Sequence, residues 1–304
     1  MKLIYNKTVN RIIVSSLRPL AKVLPTSLKI PINGSFQLDL ENNKSAIINA
    51  NPTNYLSKMI FWDGIKGYEY NAIKVFRELA MTSRNFFDIG ANIGYYSLTA
   101  NAYNKSISIF CFEPMTGIYK YLKMNMQDNH VQNAVLENVG LSNQEGKVKF
   151  YSIKRDNFSE FEDQLSGEGT INLELLPERN IQEIEINTIT LDDYVKRNSI
   201  EFIDLIKMDT EASEHLVLDG SKKVLADFKP IIFCEVLPNQ VELKIESTLK
   251  KYDYQFYRIY SNGLTKVNSL INEQDLERDY IFVHPLKVSL IQKFINKENL
   301  FSNL

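Results

Sequence analysis

Three stretches of the chain place acidic residues and glycines directly after short apolar runs. Residues 88–94 read DIGANIG, residues 112–114 read FEP, and residues 138–142 read NVGLS. In open α/β sheets, ligands bind outside the carboxyl ends of the strands, where the strand order reverses. If the three apolar runs are neighbouring parallel strands, the residues that follow them line one crevice. The spacing therefore predicts a site for a nucleotide-like ligand.

The first stretch predicts a glycine-rich loop between a strand and a helix. Gly90 permits a tight turn there, Ala91 and Asn92 follow, and Gly94 lets the backbone approach a ligand closely. The glycine spacing differs from the GxGxxG of dinucleotide enzymes. Asp88 would repel a pyrophosphate, whereas S-adenosylmethionine carries an ammonium and a sulfonium cation. The loop therefore favours S-adenosylmethionine.

The second and third stretches predict contacts to the nucleoside part of that ligand. Glu113, followed by Pro114, is positioned to accept both hydrogens of a ribose diol. A nicotinamide enzyme uses a strand-end acid in the same way, so Glu113 indicates a ribose and not a particular donor. Gly140, Leu141 and Ser142 are candidates to frame an adenine edge, although an ordinary turn also explains them.

Carboxylates after the predicted fourth and fifth strands are candidates for acceptor chemistry. Asp209 and Glu211 follow the fourth strand, and Glu235 ends the fifth. Any of them could orient a sugar hydroxyl or remove its proton, or two could hold a divalent cation such as Mg²⁺. The sequence does not choose between these alternatives, and no metal ligand is assigned. Lys207, two residues before Asp209, either neutralises this cluster or forms a buried ion pair.

The chain resembles the FkbM family of methyltransferases over residues 62–237. The resemblance rests on the following motifs: DIGANIGYYS at 88–97, FEP at 112–114, GLS at 140–142, TLDDY at 190–194, IKMDTEASE at 206–214, and residues 230–235 and 64–69. It implies a class I fold, S-adenosylmethionine as donor, and O-methylation of a sugar or glycosylated acceptor. Similar members carry Gly after the motif's Glu, whereas Ala212 follows Glu211 here, which predicts an altered turn.

Apolar runs and helical stretches alternate along the chain, which predicts an α/β fold. We expect a Rossmann-like class I sheet of seven mostly parallel strands with helices on both faces. The seven predicted strands cover residues 85–89, 106–112, 134–139, 202–208, 230–236, 254–260 and 279–284. Residues 1–80 are predicted to form an N-terminal extension, with a β-rich part at 31–51, and residues 81–304 a catalytic domain with an insertion at about 146–190. Its acidic segment, 156–169, is either a lid or a solvated loop.

Residues 1–24 contain five basic and no acidic residues, and their spacing predicts a basic amphipathic helix. Such a helix either packs on the domain or makes peripheral contact with an anionic membrane. The net charge of −2 gives no broad positive field, so we expect no nucleic-acid partner. The absence of a long apolar span and of a CxxC motif suits a cytoplasmic protein with free thiols at Cys111 and Cys234. The oligomeric state cannot be inferred.

Two other functional classes fit parts of the pattern. A nicotinamide-dependent oxidoreductase shares the glycine loop and the strand-end Glu113, although Asp88 and the missing GxGxxG count against it. A non-catalytic nucleotide-binding module of the same fold is the second alternative, with Ala212 as its main support.

Overall fold

The structure, a computed structural model, describes residues 2–154, 163–167, 169–171, 173, 180–238, 240–271 and 277–296. Most of the acidic segment predicted as a lid, residues 156–162 and 168, therefore lies outside the described residues.

The strands are β1 Gly34–Asp39, β2 Ser45–Ala50, β3 Asn85–Ile89, β4 Ser108–Phe112, β5 Ala134–Glu137, β6 Gly140–Leu141, β7 Gly146–Ile153, β8 Gly169–Thr170, β9 Ile181–Ile189, β10 Leu205–Met208, β11 Ile231–Glu235, β12 Gln255–Tyr260, β13 Gly263–Val267 and β14 Asp279–Val283. The α-helices are α1 Lys7–Leu17, α2 Tyr55–Asp63, α3 Tyr70–Ala80, α4 Tyr95–Tyr103, α5 Thr116–Asp128, α6 Leu191–Arg197, α7 Glu214–Asp219, α8 Lys222–Asp227, α9 Glu242–Lys250 and α10 Val288–Ile291.

The central sheet has eight strands in the order β13-β12-β14-β11-β10-β3-β4-β5. Strands β11, β10, β3, β4 and β5 pair in parallel, and β14 pairs antiparallel with both β11 and β12. All seven strands predicted from the sequence are present, with ends that differ by up to three residues. The count was wrong by one, because β13 adds an antiparallel edge strand beside β12.

The strand order reverses at β3, which places a crevice at the carboxyl ends of β3 and its two neighbours. The chain proceeds outward from β3 through β4 to β5 in one direction, and through β10 to β11 in the other. The chain segments that follow β3 and its neighbours therefore run to opposite sides at the carboxyl end of β3. The gap between these segments is the usual ligand site of doubly wound sheets.

The central strands are buried because helices cover both faces of the sheet. On one face, Phe86 of β3 belongs to a hydrophobic cluster with residues of α3, α4 and α5. On the other face, Phe87 belongs to a second cluster with residues of α6 to α9. Successive strand residues point to opposite faces, so a strand covered on both sides is a continuous apolar run. Lys207 is the exception in β10, and its side chain is part of the candidate site.

The N-terminal residues pack on the domain through one side of a short helix. Helix α1 has only 11 residues, fewer than the predicted helix over residues 1–24, and a 3-10 turn with Pro19 follows it. Val14 is fully buried, and Leu17 and Leu24 pack against the main cluster. Strands β1 and β2 then form an antiparallel pair in the region predicted to be β-rich. The boundary at residue 80 stays a prediction.

The predicted insertion forms a second, four-stranded sheet in the order β6-β9-β7-β8. Strands β7 and β9 pair antiparallel over eight residues, and β6 pairs in parallel with the end of β9. Residues 140–141, which the sequence placed after the third strand as an adenine-framing segment or an ordinary turn, therefore form a short strand of this small sheet. No described helix is long and apolar enough to cross a bilayer.

Candidate functional site

A cleft of about 1060 Å³, counting its open mouth, lies at the carboxyl ends of β3, β4 and β10. Nine of the residues singled out in the sequence line it: Gly90, Asn92, Glu113, Pro114, Gly140, Leu141, Ser142, Asp209 and Glu211. Ala91, Gly94, Asp88, Lys207 and Glu235 are not among the lining residues. Residues of all three stretches, 88–94, 112–114 and 138–142, thus line one cleft, as their spacing predicts, although Asp88 itself does not.

The loop after β3 is held tightly between the neighbouring strands. The N–H groups of Gly90 and Ala91 both donate to the carbonyl of Phe112 at 3.0 Å. Gly90 has a φ of +76°, and a Cβ at this position would lie 1.9 Å from the carbonyl oxygen of Asp209. Only glycine satisfies both conditions without strain. The position expected to need a tight turn is also a close contact between two backbone segments.

Glu113 is buried against backbone donors at the cleft wall. Its Oε2 accepts from the N–H of Asn92 at 3.1 Å, and its Oε1 accepts from the N–H of Met115 at 2.9 Å. Burial raises the pKa of this carboxyl to about 7, although the two N–H groups favour the charged form. Each carboxylate oxygen can accept more than one hydrogen bond. Both oxygens therefore keep capacity for a ligand diol.

Asp88 and Gly94 lie behind the loop rather than at the cleft wall. Asp88 is buried, its Oδ2 accepts from Ser97 Oγ at 2.5 Å, and burial raises its pKa to about 6. Gly94 has a φ of +88°, and a Cβ there would lie 2.5 Å from Met126 Cε and 2.8 Å from Leu122 Cδ1. Gly94 thus allows α4 to begin against α5, not close approach to a ligand. Asp88 accepts from the first turns of α4 and is not among the residues that line the cleft, so its role towards a ligand stays a prediction.

Two left-handed residues follow β10 at the opposite wall. Glu211 has a φ of +50° and Ala212 a φ of +68°. The alanine therefore adopts a left-handed backbone conformation that glycine would adopt without strain. The structure keeps the turn despite the methyl group and leaves Glu211 at the cleft wall. Ser213 also lines the cleft, and its buried Oγ has no hydrogen-bond partner among the described residues.

Behind Asp209 lies a buried cluster of four carboxylates around one ammonium. Lys207 Nζ lies 3.1 Å from Glu69 Oε2 and 3.8 Å from Asp209 Oδ2. Glu235 and Asp279 face each other across the β11–β14 pair. Burial and the neighbouring charges raise the pKa of Asp209, of Asp279 and, to about 7, of Glu235. Lys207 thus forms a buried ion pair, and Glu235 belongs to this cluster rather than to the residues that line the cleft.

Sequence reasoning missed Glu69 and Asp279 as members of this cluster. Glu69 precedes α3 with a φ of +43°, and its Oε2 accepts from Tyr96 Oη at 2.5 Å. Its position at the end of the GYE part of the 64–69 stretch was the available signal. Asp279 begins a strand that pairs antiparallel with β11, so its position became evident only from the pairing.

A search against protein-family models places most of this site in one domain. The methyltransferase FkbM domain matches residues 88–256. The chain belongs to this family. Its α/β sheet, with β14 inserted antiparallel between β11 and β12, is the class I methyltransferase sheet that the resemblance implied.

Solved structures of methyltransferases resemble the chain at low identity. The FkbM methyltransferase from Methylobacillus flagellatus KT is 15% identical with a TM-score of 0.43, over 66% of this chain and 44% of that one. The chain thus spans less than half the length of that protein. A SAM-dependent methyltransferase from Agrobacterium tumefaciens is 8% identical over 84% of this chain and 71% of that one, with a TM-score of 0.43. M. jannaschii TYW2, solved with AdoMet, is 13% identical over 83% of this chain and 84% of that one, with a TM-score of 0.39. No curated protein matches.

Residues that precede the matched FkbM segment also line the cleft. Asn54, Tyr55 and Leu56 at the start of α2 contribute, as does Tyr68. Asn54 Nδ2 donates to Asn92 Oδ1 and to the carbonyl of Leu165, both at 3.1 Å. One buried amide therefore joins the N-terminal extension, the loop after β3 and the insertion. None of these contacts is between residues close in the sequence.

The insertion supplies the remaining wall of the cleft. Its lining residues are Phe150, Gly167, Gly169, Ile171, Ile186 and Thr188. Leu165 donates its N–H to Thr53 Oγ1 at 2.6 Å, and the carbonyl of Asp163 accepts from Asn51 Nδ2 at 2.7 Å. The extension therefore fixes residues 163–167 beside the cleft. This part of the insertion is therefore a fixed part of the cleft wall.

The charge of the wall is one-sided. Its ionisable acids are Glu113, Asp209 and Glu211, and no Lys, Arg or His is found among the described residues that line it. Such a wall attracts cationic ligands and repels phosphate groups.

Proposed function

We propose that the chain is an S-adenosylmethionine-dependent methyltransferase that acts on a hydroxyl of a sugar or glycosylated acceptor. The observation that carries this proposal is the wall with three carboxylates and no basic side chain among its described residues. The ammonium and sulfonium groups of S-adenosylmethionine suit that wall. The pyrophosphate of a nicotinamide dinucleotide does not, because it lacks a cationic partner there.

The donor side of the cleft fits a nucleoside. Glu113 provides the acceptor oxygens for the ribose hydroxyls, next to the loop that carries Gly90 and Asn92. Pro114, Met115 and Leu141 supply apolar surface beside it for the adenine ring. Pockets for small molecules combine such apolar walls with a few fixed polar groups.

The acceptor side fits proton removal from a hydroxyl. The bound donor supplies an electrophilic methyl carbon on a sulfonium sulfur. As the oxygen–carbon bond forms and the sulfur–carbon bond breaks, the hydroxyl proton passes to Asp209. Burial raises the pKa of this carboxyl, so it holds the proton better than an exposed aspartate does. Lys207, 3.8 Å away, orients the carboxylate and stabilises its charged form before transfer.

We assign proton removal to Asp209 rather than to a metal-bound hydroxyl. Lys207 Nζ lies 3.1 Å from Glu69 Oε2 and 3.8 Å from Asp209 Oδ2, so these two carboxylates already have a cationic partner. Among the described residues, no group of three or more His, Cys, Asp or Glu side chains has a metal-binding arrangement.

A sugar acceptor suits the rim of the cleft. The ring of Tyr55, 54% exposed, lies at the rim and offers a flat apolar face. The carboxylates of Asp209 and Glu211 line the same cleft and can accept hydrogen bonds from neighbouring hydroxyls. An apolar face combined with hydrogen-bond acceptors is the pattern that a polyol ring requires.

The first test compares three ligands by calorimetry. We expect S-adenosylmethionine and S-adenosylhomocysteine to bind and NADH to show no heat of binding. Tighter binding of NADH would overturn the proposal in favour of an oxidoreductase.

The second test follows methyl transfer. The wild-type protein is incubated with methyl-labelled donor and a glycan pool from a cell extract, with Asp209→Asn as the inactive control. We expect the label in methylated monosaccharides after acid hydrolysis, with the methyl group stable to base as an ether is. Donor binding without any transfer would support a non-catalytic module, and base-labile label would point to esters.

A further inference from the structure

The N-terminal residues form a cationic region on an otherwise acidic protein. The first 38 residues contain six basic and no acidic residues, although the whole chain has a net charge of −2. Residues 39–304 therefore carry all of the negative charge. This separation concentrates a positive field on one part of the molecule.

Hydrogen bonds fix this region as a structural unit. Asn10 Nδ2 donates to the carbonyl of Pro31 at 2.9 Å, and Asn10 Oδ1 accepts from the N–H of Asn33 at 2.7 Å. Asn33 Nδ2 donates to the carbonyl of Tyr5 at 2.6 Å. Asn10 is completely buried. The side chains outside this network are therefore presented on a defined surface.

Four aliphatic side chains point to solvent from this unit. The exposed fractions are 63% for Ile12, 52% for Leu20, 79% for Val23 and 54% for Leu28. The packing of the unit on the domain uses other residues, including Val14, which is fully buried. Single exposed aliphatic residues are ordinary, but four within 17 residues leave several apolar side chains that the packing of this unit does not use.

Cations accompany these aliphatic side chains. Lys29 is paired with Asp63 at 2.6 Å, and the guanidinium of Arg18 lies 4.7 Å from the ring centre of Phe61. Lys7, Arg11 and Lys22 are exposed, and none of them has an ion-pair partner in the described part of the chain. Their charges are available to a partner.

We propose that residues 7–28, the N-terminal surface, dock on an anionic lipid bilayer. The exposed aliphatic side chains enter the interfacial layer and the cations contact anionic headgroups, as in amphipathic segments that lie in a membrane plane. A nucleic acid would match the cations but would leave Ile12, Leu20 and Val23 without a partner.

Docking in this way brings the cleft close to the lipid. Helix α2 begins at Tyr55 on the cleft rim, and Phe61 near its end contacts Arg18 of the N-terminal surface. Nine helical residues span about 13 Å. The cleft rim and Arg18 of the N-terminal surface are therefore connected through one short helix.

Vesicle co-sedimentation of the full chain tests this proposal. The probes are vesicles of phosphatidylcholine alone and of equal parts phosphatidylcholine and phosphatidylglycerol. We expect binding only to the anionic vesicles, weakening with added salt. The charge variant Arg11→Glu/Lys22→Glu is expected to bind at least about 30-fold more weakly. The apolar variant Ile12→Ser/Val23→Ser is expected to bind at least about tenfold more weakly.

Matched controls come from exposed residues elsewhere on the protein. Leu243 and Leu286 are 65% and 78% exposed, so Leu243→Ser/Leu286→Ser removes similar apolar area. Lys222→Glu/Lys223→Glu makes the same charge change at an exposed site. Both controls are expected to bind like wild type, and all four variants to keep its melting temperature.

Three outcomes would overturn the proposal. They are no sedimentation with anionic vesicles, equal losses in the control variants, or binding to heparin and vesicles that the apolar variant does not weaken. The last result would assign the surface to soluble polyanions.

Discussion

The buried amide of Asn54 offers a sharp test of how the cleft is assembled. Its Oδ1 accepts from the N–H of Ser57 at 2.7 Å and caps α2, while Nδ2 donates to Asn92 and Leu165. Asn54→Asp keeps the cap, because Asp and Asn cap helices about equally well. It replaces the donor with an acceptor, so the hydrogen bonds from the start of α2 to the loop and to the insertion are lost.

The expected magnitude follows from these contacts. The buried carbonyl of Leu165 loses its donor, and an unpaired buried group costs about 1 to 3 kcal/mol. Asn92 Oδ1 is only partly buried and still accepts from the N–H of Ile93 at 2.9 Å, so it is not left unpaired. If the loss at Leu165 opposes the binding-competent arrangement, S-adenosylmethionine binds about 5-fold to 150-fold more weakly. Calorimetry on wild type and variant measures this ratio directly.

The pH dependence separates a positioning role from a merely structural one. At low pH the new buried carboxyl is protonated and regains one donor, so the affinity ratio of variant to wild type improves as pH falls. Taking the ratio removes the titration of Glu113, which both proteins share. Asn54→Ser is the matched control, since Ser also caps the helix but has no carboxyl to titrate. Wild-type affinity in Asn54→Asp, or a ratio constant with pH, would refute the reasoning.

Three further expectations rest on individual residues. Gly90→Ala should lower the free energy of unfolding, measured in urea, by about 1 to 3 kcal/mol more than Gly64→Ala does. Both glycines have a positive φ, but of these two only Gly90 would bring a Cβ within 4 Å of another backbone segment. Equal losses of stability in the two variants would contradict the close contact at Gly90. Asp209→Asn should keep the affinity for the donor, while the rate constant of methyl transfer in single-turnover assays falls about 10² to 10⁴-fold. Loss of donor binding would contradict the assignment of Asp209 to the acceptor side of the cleft. The free energy of unfolding of the ligand-free protein should fall as pH rises from about 4.5 to about 7. Burial raises the pKa of Asp88 to about 6 and the pKa values of Glu113, Glu214 and Glu235 to about 7. In this pH range the folded state therefore retains protons that the unfolded chain releases. Thermal unfolding across this window, with Glu113→Gln reducing the slope, measures that change, and rising stability would contradict it.

The sequence by itself predicted the central sheet and most of one cleft wall. A strand covered on both faces must be a continuous apolar run, and the end of such a run is marked by polar residues and glycine. These are local properties, so the seven strands and the positions of Gly90, Glu113 and Asp209 could be inferred. The extra strand β13 escaped because an edge strand needs no such run, and only two of its five residues are large aliphatics.

Only the tertiary structure decided which of these residues reach the cleft and what surrounds them. Asp88 and Gly94 belong to the predicted loop but face α4 and α5, since the direction of a side chain depends on the packing of the helices. Asn54 and Leu165 are 111 residues apart and meet through one hydrogen bond, so neither leaves a local pattern. The raised carboxyl pKa values likewise come from burial, which no spacing of residues reveals.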